Sequence, residues 1–261
     1  MYKSRIYLAF VSILALVFAA GISGCSSPGK KKAPSSAERA QILVELALEI
    51  LVEGDATGAL LKLKEAEALN NQLPDLFHVR ALAFYFKKDY ENAIQNAHQA
   101  IQIAPEFSGA KTTLGVALLE TGRMNEAIAP LIEASNDTLY REAFKAFTTL
   151  GIIYYKKMNY PKAREYLTRA IDANSQSACK AYYYRGHIAM SDHKFSDALK
   201  DYDSATRSVC AGFADAYLAK GIAYERAKNY DEARKIFLLV HQRFPKTEIA
   251  EEALNHYKGL P

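Results

Sequence analysis

Residues 219–245 read AKGIAYERAKNYDEARKIFLLVHQRFP, and their spacing decides the fold. A small residue, Gly221, is followed twelve positions later by Ala233, then by a bulky Phe237 four further on. Val240 lies seven after the alanine and Pro245 closes the stretch. Small residues at the first and third marks let two antiparallel helices approach closely, and the bulky residue packs between them. Working outward, the same alanine recurs at Ala59, Ala93, Ala127, Ala163, Ala198 and Ala233, at spacings of 34, 34, 36, 35 and 35 residues. The small residues ahead of it are Ala47, Ala81, Gly115, Gly151, Gly186 and Gly221. The bulky residues after it are Leu63, Leu131, Leu167, Tyr202 and Phe237, with Ala97 the weak member. A fixed period of this length marks stacked helical hairpins, none of which buries its apolar face alone.

The marks resemble those of the tetratricopeptide repeat, most closely in residues 219–245 and in TLGIIYYKKMNYPKAREYLTRAI, residues 149–171. The resemblance implies an all-α solenoid of about six helix-turn-helix repeats over residues 38–245. Residues 246–261 follow as a capping helix whose polar outer face ends the stack. Ser35-Ser36-Ala37-Glu38 is a Ser-x-x-Glu capping box ahead of an apolar run, so the first helix should start there. Scarce proline and absent tryptophan, beside 17 tyrosines, agree with helices rather than strands and turns. Phe77, Phe147, Tyr182 and Tyr217 recur at one position of the first helix of a unit and read as packing residues.

The N-terminus has the pattern of an export signal over residues 1–24. Lys3 and Arg5 precede the apolar run Ile6 to Ala20, and small residues follow. An uncleaved membrane anchor is the alternative, although the run is short for one. Ile22-Ser23-Gly24-Cys25 resembles the bacterial lipobox, with Ile in place of the usual Leu. That resemblance implies a palmitate-type acyl anchor on Cys25; the plain alternative is an ordinary signal peptide with a chance cysteine near the cut. Ser26, in place of the Asp that marks inner-membrane retention, implies the outer membrane, at its periplasmic face. Residues 25–37 then form an acylated cysteine and a flexible tether rich in Ser, Pro, Gly and Lys.

The other two cysteines fall within the fifth unit. Cys179 opens its first helix and Cys210 follows its second, so an antiparallel hairpin brings both to one end. A disulfide suits that geometry in an oxidising periplasm; two half-buried thiols are the alternative. The six histidines, His78, His98, His187, His193, His241 and His256, are scattered. No HExxH, GxSxG, Walker or GxGxxG motif occurs, and CxxC zinc spacing is absent. The reading is therefore no enzyme, no metal, no cofactor and no small-molecule substrate. The formal charge of +4 falls to +2 once Lys3 and Arg5 leave with the signal, too weak to argue for nucleic acid.

Function then lies in a binding surface. In this repeat the concave groove is lined by particular positions of the first helix of each unit. Here they include Val44, Leu48, Leu51, Leu82, Tyr85, Phe86, Val116, Leu119, Ile152 and Tyr155. In the last two units they turn polar, with Lys180, His187, Glu225 and Arg226. Val44 and Leu48 stand where repeats that clamp a C-terminal carboxylate carry Asn and Lys. An apolar or amphipathic protein segment is the expected ligand.

A lipobox, a short tether and six such units together resemble the type IV pilus pilotin family. The match is best at YREAFKAFTTLGIIYYKKMNYPKAREYLTRAI and SACKAYYYRG, with Cys210 after the next helix. The third unit departs by lacking its closing proline, running Asn136-Asp137-Thr138. The resemblance implies an outer-membrane lipoprotein that binds secretin subunits through its N-terminal units and helps their ring assemble. Two other families fit the same architecture: NlpI-like adaptors for peptidoglycan hydrolases, and the repeat lipoprotein of the outer-membrane barrel assembly machine, whose ending FPKTEIAEEAL is similar.

Overall fold

The computed structural model describes residues 33–261. The signal segment, Cys25 and the residues after it to Lys32 lie outside them. From Ser36 on, the described chain is a series of antiparallel helical hairpins. The first unit pairs α1 (Ser36–Val52) with α2 (Ala56–Leu69), and the second α3 (Pro74–Phe86) with α4 (Tyr90–Ile103). The third pairs α5 (Ser108–Glu120) with α6 (Met124–Asn136), and the fourth α7 (Ala143–Lys156) with α8 (Tyr160–Ala173). The fifth has α9 (Cys179–Ser191), α10 (Phe195–Ser204) and a 3-10 turn at Ser208–Cys210. The sixth pairs α11 (Ala214–Arg226) with α12 (Tyr230–Arg243), and α13 (Glu248–Gly259) follows. The first helix thus begins one residue after Ser35, as the capping box requires, and two residues ahead of the expected boundary.

The periodic marks are the contact points. A methyl group on Gly221 would sit 2.5 Å from the ring of Phe237, and one on Gly186 2.7 Å from that of Tyr202. Both rings are fully buried, as are Leu63, Leu131 and Leu167 at the same position. In the second unit Ala81 and Ala97 are both buried, in one cluster with Ile94 and with Leu114 and Leu118 of the next unit. The core is a chain of such clusters, each shared between neighbouring units. One joins α1 and α2 to the second unit, another joins the fourth unit to α9, and the last joins the sixth unit to α13. Each buried Leu or Phe contributes roughly 1.5–3 kcal/mol of transfer free energy, and none is satisfied within one hairpin alone.

The turns inside the units repeat as faithfully as the core. Gly54, Lys88, Gly122, Met158, His193 and Lys228 all have φ between 57° and 97°. At the second unit Lys88 N donates to Tyr85 O and Asp89 N to Phe84 O, closing α3. Asp89 then caps α4 by accepting from Asn92 N, as Asp55, Asn159 and Asn229 do for α2, α8 and α12. In these four units a left-handed residue followed by an Asp or Asn cap reverses the chain, whereas Arg123 and Lys194 hold the cap position of α6 and α10 without a side-chain cap bond.

The capping helix behaves as its sequence predicts. Thr247 accepts from Ala250 N, while Ala250 and Ala253 are buried against the sixth unit. Glu251, Glu252 and Lys258 remain exposed on the outer side. His256 stacks on Phe237 and meets Glu225 at 2.8 Å, tying α13 to α11.

Candidate binding groove

The first helices of units two to five line one concave cavity of about 720 Å³, with residues just before and in α11 at its far end. Helical period places Leu82, Tyr85 and Phe86 of α3 on this face, then Val116 and Leu119 of α5 and Ile152 of α7. Phe86 is 64 % exposed, which is unusual for a ring of that size outside a contact surface. Two pairs of threonines, Thr112-Thr113 and Thr148-Thr149, line the floor between the apolar residues. Their hydroxyls donate to backbone carbonyls one turn earlier, to Ser108, Gly109, Phe144 and Lys145. The floor is thus closed on itself and asks nothing of a ligand.

Four expected residues lie elsewhere. Val44 and Leu51 are buried in the cluster that joins α1 to α2 and α3, so they are core rather than groove. Both pack there with Leu63 of α2 and Leu76 and Phe77 of α3 in one buried cluster. Leu48 is 42 % exposed but outside the cavity, on α1. Tyr155 stands behind the lining, its ring 5.1 Å from that of Tyr184.

The structure adds residues that periodicity did not single out. Tyr140 and Glu142 reach the groove from the connection before α7. This connection starts at Asp137, which accepts from Ser108 Oγ at 2.6 Å and from Leu139 N at 2.9 Å. The missing proline of the third unit is therefore replaced by an aspartate-centred turn. Those contacts hold the Asp137 carboxyl below its ordinary range, the Ser108 hydrogen bond foremost. Tyr183 and Tyr184 of α9 and Phe213 before α11 form the other end. The tyrosine run 182–184 could have flagged them, since three adjacent residues on a helix cannot all face the core.

His78 lies at the rim of the second unit, its Nε2 3.1 Å from Thr113 Oγ1 and its ring edge-on to Phe107. Burial lowers its pKa to about 4, against the opposing pull of Glu142. Burial and Glu120 push the Tyr85 phenol up to about 12. Burial and Asp215 do the same to Tyr183. These phenols are neutral hydrogen-bonding rings at any physiological pH. Among the described residues no group of three or more His, Cys, Asp or Glu is arranged to hold a metal ion.

Cys179 and Cys210 form a disulfide, with Cα atoms 5.5 Å apart. Cys179 itself lines the groove, and Phe213 N donates to Cys210 O, so the bridge braces the wall that carries Phe213.

Tetratricopeptide-repeat family models match residues 87–138 and 183–246, two separate stretches of the same stack. The chain carries tetratricopeptide repeats. Over 168 residues the repeat chain is 29% identical to the type IV pilus assembly protein PilF of Pseudomonas aeruginosa, covering 61% of this chain and 66% of PilF. It is 28% identical over 171 residues to human DnaJ homolog subfamily C member 7, of which it spans only 30%. The chain therefore covers just under two thirds of the first relative and under a third of the second. The crystal structure of PilW, a type IV pilus biogenesis factor, superposes with a TM-score of 0.72 at 22% identity, over 82% of this chain and 98% of PilW. That of Pseudomonas aeruginosa PilF gives 0.70 at 21%, over 85% and 99%. The repeat chain is related to these pilus factors, and the structural likeness extends over nearly all of each. Such repeats generally serve protein interaction, and neither family model that matches describes a catalytic family.

Proposed function

We propose that this protein is a non-enzymatic, lipid-anchored scaffold at the periplasmic face of the outer membrane, acting as a pilotin for the type IV pilus secretin. The observation that carries the reading is the continuous groove of units two to five, whose apolar wall ends in the exposed ring of Phe86. A hairpin stack needs no such wall for its own stability, because its core lies between the helix layers. The likeness to PilF and PilW supports a partner within pilus assembly. Acylation of Cys25 would hold the stack near the membrane, and a tether of a dozen residues reaches at most about 40 Å.

Deletion of the gene followed by blotting for heat-resistant secretin multimers tests the reading. Loss of multimers, restored by the wild-type chain and not by Cys25→Ser, is the expected result. Normal multimers in the deletion strain would overturn it. General loss of outer-membrane barrels would point instead to the barrel assembly machine, and altered hydrolase activity to an NlpI-like adaptor.

A further inference from the structure

The far end of the groove differs in chemistry from its apolar wall. Tyr183 and Tyr184 meet edge to face at 5.2 Å between centroids, and Phe213 lies 5.0 Å from Tyr183. The three rings form a corner that lines the cavity. Three carboxylates line the same cavity: Glu142 before α7, Glu120 at the end of α5 and Asp215 in the first turn of α11; the last two concern the corner. Both residues are exposed, and neither forms an ion pair with a described residue. Their negative field reaches the rings: after burial and Tyr155, Glu120 and Asp215 both raise the Tyr184 phenol, and Glu252 of α13 adds to the effect on Tyr183. The aromatic corner and the carboxylates of Glu120 and Asp215 thus share one cavity. Aromatic faces attract cations through their quadrupole, and nearby carboxylates deepen that attraction.

We propose that this corner is a subsite for a basic side chain. Its occupant is a Lys or Arg carried by a partner polypeptide segment whose apolar residues lie along the wall of Leu82, Phe86, Val116 and Leu119. The proposal rests on the groove reading above and adds the charge of the ligand to it. Charge complementarity specifies the occupant: an apolar residue at the corner would leave two carboxylates facing it, and an acidic residue would be repelled by them. Lys145, Lys156 and Lys180 also line the cavity, so the basic preference is local to the corner and not a property of the whole groove.

The test uses three short fluorescein-labelled peptides, identical in their apolar residues and carrying Arg, norleucine or Glu at one central position. Fluorescence anisotropy with the purified full chain, disulfide intact, should show the Arg peptide binding about tenfold more tightly than the norleucine peptide at ~0.15 M salt. The Glu120→Gln/Asp215→Asn variant should lose that preference, the Arg and norleucine peptides then binding alike. Circular dichroism of the variant controls for folding, and both substituted side chains are exposed. Equal affinity for all three peptides, or a preference for the Glu peptide, would overturn the basic subsite and leave the groove standing. Failure of every peptide to bind would overturn the groove and the subsite together.

Discussion

In the second unit the small residue of α3, Ala81, is buried in one cluster with another alanine, Ala97, with Ile94 and with leucines of the third unit. In the fifth, Gly186 faces the whole ring of Tyr202, and a disulfide closes the same hairpin. One backbone plan is therefore filled in two ways. Both units share their clusters with a neighbour, but the second has an alanine at the bulky position of the repeat, whereas the fifth has a whole ring there and a covalent tie. The fifth also holds Arg185, whose guanidinium donates to both oxygens of Asp201 and so clamps α9 to α10. The difference bears on the groove: its apolar wall starts on the alanine-filled unit and its aromatic corner stands on the ring-filled, bridged one.

The largest effect should come from emptying the fifth unit. Tyr202→Ala removes a fully buried ring opposite a glycine that cannot compensate, and should cost about 3–5 kcal/mol. Urea unfolding with amide exchange should show protection lost from α9, α10 and α11 ahead of α3 and α4. Uniform loss along the stack would mean that the units are not separable and the contrast with the second unit is void. Next comes the bridge. Replacing both cysteines by serine, or reducing the native protein, should cost roughly 3–4 kcal/mol for a loop of this size in the chain-entropy treatment. The readout is a lower urea midpoint, with no change in the wild-type protein under reductant if the bond is absent in solution.

The second unit has its own point of weakness. His78 is held near pKa 4 in the fold against 6.5 when unfolded, chiefly by burial. As pH falls below 6.5 the unfolded chain takes up a proton that the folded ring refuses, so the unfolded state binds more protons and stability falls. The loss is complete once the pH passes the folded value, and amounts to at most about 3 kcal/mol. His187, also lowered by burial, contributes in the same direction from the fifth unit. The difference between wild type and His78→Gln over this window isolates the second unit's share. Parallel stability curves for the two proteins would show that His78 titrates normally.

Much of this architecture is legible in the sequence because a solenoid repeats its rules. The alanine and glycine marks locate every hairpin, since only small residues let the helices meet, and the Cys179–Cys210 pairing follows from antiparallel geometry. The groove is less legible. Val44 and Leu51 occupy groove positions by phase, but in the first unit those positions are buried in the cluster shared with α2 and α3. Tyr140 and Glu142 come from a connection that departs from the period, so no periodic rule reaches them. Tyr183, Tyr184 and Phe213 were hidden for a different reason: the corner exists only where α9 meets the segment before α11, a contact set by tertiary packing.

The smallest effect concerns one atom. The Tyr202 hydroxyl is buried and has no hydrogen-bond partner among the described residues. Its ring fills the space above Gly186, so shape selects an aromatic there, and Phe237 shows that the same position in the next unit works without a hydroxyl. A buried, unpaired hydroxyl is desolvated with nothing in return. Tyr202→Phe keeps the ring and deletes the orphan, and should raise stability by about 1 kcal/mol. A raised urea midpoint would set the fifth unit further from the second. A lowered one would show that the hydroxyl is satisfied in solution, with water entering beneath Tyr183 and His187, the rings that flank it. In that case the ring would need water to be satisfied, and the contrast between the two units would narrow to the disulfide.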